Sequence, residues 1–579
     1  MTIENLYKQW STDKYFDDST KSELLLISDD EKEIRDRFYT ELEFGTAGIR
    51  GIIGAGINRI NVFVVRRVTQ GIADLIKGKG QQEMDKGVVI AYDCRVCSVE
   101  FAQEAAAVFA GNGIKVYLHR ELRPVPVLSF SVRYLKTSAG VMITASHNPK
   151  EYNGYKAYGE DGAQLSLEDS ETVLQTIKNI EDYTTLQAYN FQEQLSEGKI
   201  EILDERVDKA YFTEIKKLIV DSENLEKRAS KFKLVYTPLH GTGGKLVPIL
   251  LKQIGFNKLQ VVPEQMEPDG MFPTVRVPNP EEKDCYTLAI KLAEQSGADL
   301  ILATDPDSDR TGVAVRIPNG DYVILNGNQI GTILLEFVLS LKNSNNSMPQ
   351  NPFVVSTIVS TRLTEAICRK HGITYVDVLT GFKFIGEQIK IREEEGNEKF
   401  IFGFEESYGY LAGSYARDKD AVASCMLLAE AAAYHASRGF TLLDAVQEIY
   451  EKYGFYKEEQ VSLSLKGEAG INKIKSTMIQ LKEIGREIFN NINVEVLKDF
   501  STAIVTDYTN NSTYSTGLPK SSVLHYTIAN GWFCIRPSGT EPKLKVYFGI
   551  VTPNEASTKV QIDNLKQKVM LILNNMLGI

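Results

Sequence analysis

The stretch ADLILATDPDSDR, Ala298–Arg310, reads as a buried strand that runs straight into a loop of carboxylates. Leu300 to Ala303 is an uninterrupted apolar run, bounded by a turn and too short for a helix. Asp305, Asp307 and Asp309 occupy alternate positions just beyond it. In a strand-end loop that spacing lets three hard oxygen ligands converge on one cation, Mg2+ or a similar ion. Without a cation, three such neighbours repel one another. The loop is a poor EF-hand. Counting from Asp305, Arg310 replaces the required Gly and Arg316 replaces the final Glu.

Outward from this strand, one pattern recurs three times. Val88 to Ile90 leads through the polar turn Tyr92 to Arg95 into a helical stretch ending at Gly113, and then into IKVYL. Leu234 to Tyr236 leads into Thr237 to Gly244, a helix, Gly255 and KLQVV. Phe353 to Val355 leads through a turn into a helix with Ala366 and Ile367, then Gly372 and ITYVDV. Each Gly falls just past a helix end, where a left-handed backbone costs it little. Strand, helix, Gly, strand is the βαβ unit, so the spacing predicts three similar α/β domains. Beyond Gly454 the pattern stops. YKEEQ and LKGEAG read as a junction, and the chain beyond them reads as a separate fourth domain. The polar segments Ser340 to Pro352 and Thr506 to Ser522 read as surface loops.

With 579 residues, about four domains of roughly 150 residues are expected, each able to bury a core. The net charge of -11 argues against broad attraction to nucleic acid or an acidic membrane. An anionic ligand would therefore need local basic groups. MTIENLYKQW lacks the basic and apolar regions of a secretory signal, and no apolar run reaches the ~20 residues of a membrane span. Six cysteines, only Cys94 and Cys97 being close together, fit a reducing cytoplasm rather than a disulfide framework. That C-x-x-C lacks the second pair of a zinc site.

Further motifs surround the carboxylate loop. TASHNP, Thr144 to Pro149, comes directly after the apolar strand Gly140 to Ile143 and precedes YNGYK, which ends at Lys156. Ser146 thus lies at a strand end, where open α/β sheets bind ligands, and it is not in a G-x-S-x-G elbow. A serine beside a metal loop and a basic residue suits phosphoryl transfer. RPSGTEPKLK offers the Arg536 fork with Ser538, Gly539 and Thr540, whose small size lets backbone N–H groups nest around a phosphate. GFEESYGY places Glu405 and Ser407 along a turn, an acceptor and a donor for sugar hydroxyls, and GTAGIRG offers Arg50. His147 stands beside Ser146, while the other five histidines, His525 included, read as structural. HGTGGK, His240 to Lys245, is not a P-loop, because Leu246 occupies the Ser/Thr position. A rival enzyme class is also on view. Asp307 to Thr311 spells D-x-D-x-T, the nucleophile motif of aspartyl-phosphate phosphatases, with Asp307 as nucleophile and Asp309 as acid/base.

Taken together and in order, GTAGIRG, TASHNP, DPDSDR, GFKF, EESYG and RPSGTEP closely resemble the α-D-phosphohexomutase superfamily over nearly the whole chain. The chain length and the GFKF and EESYGY forms look most like the bacterial α-phosphoglucomutase branch, which is similar to the phosphopentomutases and glucose-1,6-bisphosphate synthases. The resemblance implies an α/β protein with four domains around a central cleft. Three would be similar α/β domains with mixed sheets and the last a distinct C-terminal α+β domain. Boundaries are expected at 1–205 (phosphoserine loop), 206–325 (metal loop), 326–455 (sugar loop) and 456–579 (phosphate loop).

It further implies that Ser146 is the phosphoserine, completing a Mg2+ site with Asp305, Asp307 and Asp309. Lys156 matches the general base, and Arg50 and Arg310 match arginines near the transferring phosphate; His147, from its place beside Ser146 alone, is expected to help position a phosphate or proton. Glu405 and Ser407 would hold sugar hydroxyls. Lys383 of GFKF, with Arg536, Ser538, Gly539 and Thr540, would hold the other phosphate. The implied reaction interconverts α-D-glucose 1-phosphate and glucose 6-phosphate, with glucose 1,6-bisphosphate as activator and reorienting intermediate. A pentose, mannose or bisphosphate-forming variant is the alternative. Expected partners are small sugar phosphates, taken by a monomer or dimer, with no nucleic acid or membrane.

Overall fold

The computed structural model describes residues 2–42, 45, 48–465, 467–538 and 543–579, and the chain divides into two compact units. The first comprises Met1–Asn326, Ile385–Gly403 and Ser407–Thr441, the second Gly327–Phe384, Phe404–Glu406 and Leu442–Ile579.

Two mixed sheets of the first unit share one plan. In one, the strands run in the order Ile49–Ile52, Tyr152–Gly159, Ala139–Ile143, Val88–Tyr92, Val116–His119, Ile200–Leu203. Val88–Tyr92 is parallel to both its neighbours, and Tyr152–Gly159 returns antiparallel to Ala139–Ile143. In the other the order is Tyr322–Leu325, Thr311–Arg316, Leu300–Thr304, Lys233–Thr237, Lys258–Val261. Here Lys233–Thr237 is the parallel strand with two parallel neighbours, and Thr311–Arg316 returns antiparallel to Leu300–Thr304. Ala139–Ile143 and Leu300–Thr304 are buried along their whole length, as continuous apolar runs require of strands covered on both faces. The strand that delivers Ser146 and the strand that delivers the carboxylates therefore hold equivalent places, and each feeds a loop that leads to an antiparallel return strand.

The second unit carries the third βαβ copy. Pro352–Thr357 and Thr374–Val378 are parallel and joined through the helix Leu363–His371. The three predicted helix-end glycines have positive φ, +79° at Gly113, +103° at Gly255 and +70° at Gly372. The C-terminal part is a seven-stranded antiparallel sheet. The helices Gly467–Ile484 and Glu555–Leu577 cover one face, over Phe533, Ile535, Val546 and Phe548. On the other face Trp532, Cys534 and Tyr547 pack against Ile358, Val359 and Leu379.

Three sequence expectations need correction. YKEEQ is no junction: it lies in the strand Phe455–Ser464, which pairs along its full length with Lys543–Thr552, and its half-buried alternation is that of a sheet edge. Thr506 to Ser522 is not one loop, because Ile504–Asp507 and Ser512–Ser515 form an antiparallel hairpin. Polar strands such as Ser512–Ser515, exposed throughout, carry no hydrophobic alternation to read. The helix Gly327–Ser344 also extends into the start of the first polar segment.

Gly154 shows how tightly the serine region is built. A Cβ there would lie 2.5 Å from the Thr144 carbonyl oxygen and 2.7 Å from that of Ile49, both backbone atoms. Gly154→Ala should therefore cost about 1–3 kcal/mol by overpacking. A lowered midpoint in urea denaturation, with unchanged slope, is the expected measurement.

Candidate active site

Ser146 lies just past the strand Ala139–Ile143 and is buried, with a left-handed backbone at φ +52°. A non-glycine residue reaches that region only when its surroundings hold it there. Two holds are evident. The Thr144 hydroxyl accepts from the Ser146 N–H at 2.8 Å. The buried Arg95 guanidinium donates to four carbonyls of the loop, those of Ser146 (2.6 Å), Asn148, Pro149 (2.8 Å) and Tyr152 (2.9 Å). Arg95 is in turn fixed beside Asp93, which accepts from the Arg95 N–H at 2.9 Å.

The carboxylate loop is a tight connection between Leu300–Thr304 and Thr311–Arg316, closed by the Thr304–Thr311 pair. HGTGGK braces it from beneath. The Thr242 N–H and hydroxyl both donate to the Pro306 carbonyl, at 2.8 and 2.9 Å, and a Cβ on Gly241 would lie 2.4 Å from Pro306 Cα. That glycine-rich motif is thus a support for the carboxylate loop. From above, the Ser308 carbonyl accepts from the Ala421 N–H, at the start of the helix Ala421–Ser437.

The two loops meet. Ser146 Oγ donates to Asp305 Oδ2 at 2.8 Å, and the Thr144 hydroxyl donates to Asp307 Oδ2 at 3.1 Å. The Lys156 ammonium reaches Asp307 Oδ2 at 2.8 Å and Asp309 Oδ2 at 3.1 Å. Its strand pairs with the serine strand so that Lys156 sits opposite Met142. All three aspartates are buried, with ligand oxygens within 4.8 Å of one another. Asp307 Oδ1 and Asp309 Oδ1 are buried without a hydrogen-bond donor. Oxygens left bare among like charges are what a hard divalent cation would satisfy, so the donor set fits a metal ion.

Electrostatics splits the group. Burial and the neighbouring Asp307 and Asp309 carboxylates push Asp305 well above the usual carboxylate range. Burial also opposes charge on Asp309, but the Lys156, Lys419 and Arg310 cations outweigh it and hold Asp309 below that range. For Lys156 burial favours the neutral amine, yet Asp307 and Asp309 prevail and keep it an ammonium. His147 Nδ1 lies 3.3 Å from Ser146 Oγ. Burial, then the Arg310 and Arg50 charges, push that imidazole well below its ordinary value, so it is neutral.

The remaining candidates are divided between the two units. In the first, Arg50 is exposed and donates to Asn148 Oδ1 at 3.1 Å, while Arg310 pairs with Glu281 at 2.6 Å. Ser407 is half-buried in the same unit. In the second unit, the buried Glu405 accepts from the Gly381 N–H at 2.8 Å, and Lys383 lies over the Phe384 ring. Arg536 and Lys545 face Glu406, whose carboxyl is nonetheless raised by burial and by Glu405. The Ser538 N–H donates to the Lys543 carbonyl at 2.8 Å. Gly539 and Thr540 lie outside the described residues.

Two residues of the site escape the sequence reading. Arg95 stands inside YDCRVC, where the cysteines draw attention although the buried group is the arginine. Lys419, in RDKD, reaches Asp309 at 3.2 Å and Asp418 at 3.1 Å, more than a hundred residues beyond the loop it neutralises. The signal available for it is a dense run of alternating charges, Arg417 to Asp420, just before a long apolar helix.

Four family models match the chain. They describe phosphoglucomutase/phosphomannomutase alpha/beta/alpha domains I, II and III, over residues 41–184, 209–317 and 326–453, and the C-terminal domain, over residues 492–570. A phosphoglucomutase of Staphylococcus haemolyticus is 39% identical over 541 residues, 93% of this chain and 94% of the relative. One from Staphylococcus saprophyticus is 37% identical over 526 residues, 90% and 93% of the two chains. Among solved structures, the open form of the Paramecium phosphoglucomutase parafusin gives a TM-score of 0.68 at 17% identity, covering 93% of this chain and 97% of the other. A phosphoglucomutase/phosphomannomutase family protein from Burkholderia thailandensis gives 0.63 at 18%, covering 92% and 97%. The chain belongs to the phosphoglucomutase/phosphomannomutase family, within the α-D-phosphohexomutase superfamily.

Proposed function

We propose that the chain is a phosphoglucomutase, interconverting α-D-glucose 1-phosphate and glucose 6-phosphate through a phosphorylated Ser146. The relatives at 37% and 39% identity are phosphoglucomutases by name, which supports this choice of sugar. The observation that carries the mechanism is the junction of the two loops, with Ser146 Oγ 2.8 Å from Asp305 and the Lys156 ammonium bonded to Asp307 and Asp309.

Asp305, Asp307 and Asp309 would hold Mg2+, with an oxygen of the Ser146 phosphate as a further ligand. Bound there, the ion supplies positive charge to the transferring phosphoryl group. The chain's own residues do the rest. A hydroxyl of the sugar monophosphate attacks phosphorus, and the P–Oγ bond to Ser146 breaks. Lys156, an ammonium at the start, gives a proton to Ser146 Oγ and recovers one from the attacking hydroxyl, so protons balance. His147, neutral, positions Oγ without competing for that proton. Arg50 and Arg310 neutralise the equatorial oxygens in a reaction governed by positioning and charge. The resulting glucose 1,6-bisphosphate turns over and returns its other phosphate to Ser146. Glu405 and Ser407 bind the sugar hydroxyls, and Lys383, Arg536, Ser538, Gly539 and Thr540 bind the phosphate not in transfer. We assign the four domains to 1–205, 206–325, 326–455 and 456–579, and the enzyme to the cytoplasm. No helix among the described residues is long and apolar enough to cross a membrane.

Ser146→Ala should lower mutase turnover by at least about 10³-fold, roughly 4 kcal/mol of barrier, with an unchanged melting temperature. The ³²P-labelled wild-type enzyme should retain its label in hydroxylamine. Loss of the label would instead favour an acyl phosphate on Asp307.

Chelation should abolish turnover and Mg2+ should restore it, whereas Asp307→Ala should stay inactive at any Mg2+ concentration. Full activity in chelator would count against the metal site.

Among glucose, mannose, glucosamine and ribose 1-phosphates, each assayed with glucose 1,6-bisphosphate, the glucose ester should give the highest kcat/KM. A higher value for ribose 1-phosphate would assign a phosphopentomutase instead.

A further inference from the structure

A cavity of about 640 Å³ opens in the second unit, within the range that holds small metabolites. Arg362 and Asp377 of the third βαβ copy form one wall, Lys498, His525 and Trp532 of the C-terminal sheet another, and Glu458 a third. It is distinct from the Ser538 loop. Trp532 and Arg536 alternate onto the same face of the Gly531–Pro537 strand but stand four residues apart, about 13 Å at the rise of a strand. Cys534 and its cross-strand partner Tyr547 pack between the two ends, against Ile358, Val359 and Leu379.

Two groups in this cavity lack partners. His525 is 2% exposed and stacks on Trp532 at 5.2 Å, yet neither ring nitrogen has a hydrogen-bond partner. Buried polar nitrogens are rarely left so. Lys498 forms no ion pair among the described residues, although Asp377 and Glu458 also line the cavity. Asp377 is already committed, accepting from Arg362 Nη1 at 2.8 and 2.6 Å and from the Tyr375 hydroxyl at 2.7 Å. Glu365 lines the cavity as well, so what distinguishes the corner around Lys498 and His525 is not net charge but hydrogen-bond donors left without an acceptor. Burial, then Lys498 and Arg362, push His525 well below its ordinary value, and burial, then Arg362, lower Lys498 against the opposing pull of Asp377 and Glu365. Across the cavity, burial raises the Glu458 carboxyl to about 7, which suits it to meet a hydroxyl as donor or acceptor.

We propose that this cavity is a second small-molecule site, binding a metabolite through a phosphate or carboxylate group held by Lys498, the free edge of Arg362 and the His525 N–H. The indole of Trp532 and the ring of Tyr456 provide the apolar surface for the body of the ligand. The proposal stands apart from the mutase reading, since none of these residues belongs to the phosphoryl-transfer site.

The chain's two tryptophans make the test direct. With 5-fluorotryptophan incorporated, Trp10 and Trp532 give separate ¹⁹F signals, assigned with a Trp10→Phe variant. At constant ionic strength, inorganic phosphate or citrate should shift the Trp532 signal saturably and leave Trp10 unmoved. A response to phosphate alone assigns a phosphate ester, and one to citrate alone a carboxylate. Lys498→Gln should weaken that response about tenfold or more, as the loss of a charge-assisted contact implies. Lys498→Arg should restore most of it, and Arg536→Gln should leave it unchanged. Melting temperature should stay constant across these variants, because Lys498 is only half-buried. No saturable shift with either anion, a shift undiminished in Lys498→Gln, or a shift lost in Arg536→Gln would overturn the proposal.

Discussion

Three buried carboxylates confined within 4.8 Å of one another set the terms for the rest of the first unit. Mutual repulsion at that range in a water-poor interior is large, and folding must counter it before any ligand arrives. Lys156 and Lys419 do so from two directions, one from the strand beside the serine and one from a segment far along the chain. The arrangement leaves one oxygen on Asp307 and one on Asp309 without a donor. The ammoniums thus stabilise the loop while leaving room for a cation. The Ser146 hydroxyl is drawn into the same cluster, donating to the third carboxylate.

The symmetry of the two sheets explains how such a meeting can be built. Each loop is the turn between a fully buried strand and its antiparallel return, at the same place in the same strand order. Duplicated scaffolds thus present different chemistry, a hydroxyl from one and carboxylates from the other. Glycines provide the close support at both: Gly154 lets the return strand approach Thr144, and Gly241 lets its loop touch Pro306.

The fold, and the candidates Ser146, Lys156 and the three aspartates that the structure brings together, are legible because their signals are local. Continuous apolar runs, glycines past helix ends and alternate aspartates each need only a short window of neighbouring sequence. What escaped depends on tertiary distance. Lys419 acquires meaning only when a later segment is brought to Asp309, and Arg95 only when its fork meets four carbonyls of another loop. The strand Phe455–Ser464 is hidden from a local reading for a related reason. Its charged residues are tolerated because it is an edge, and only its partner Lys543–Thr552 makes it a strand. His525 reads as a structural histidine in sequence, where nothing reveals that both its nitrogens are left without partners.

The grip of Arg95 has one more consequence. It holds the serine loop entirely through main-chain carbonyls and makes no claim on the Ser146 side chain. The loop's shape is then independent of what Oγ carries, ester or free hydroxyl. A group can be loaded and unloaded without rebuilding the peptide path around it. As the proposed phosphoryl carrier, the serine would be an interchangeable fitting on a fixed mount, with the cost of reorganisation met once, during folding.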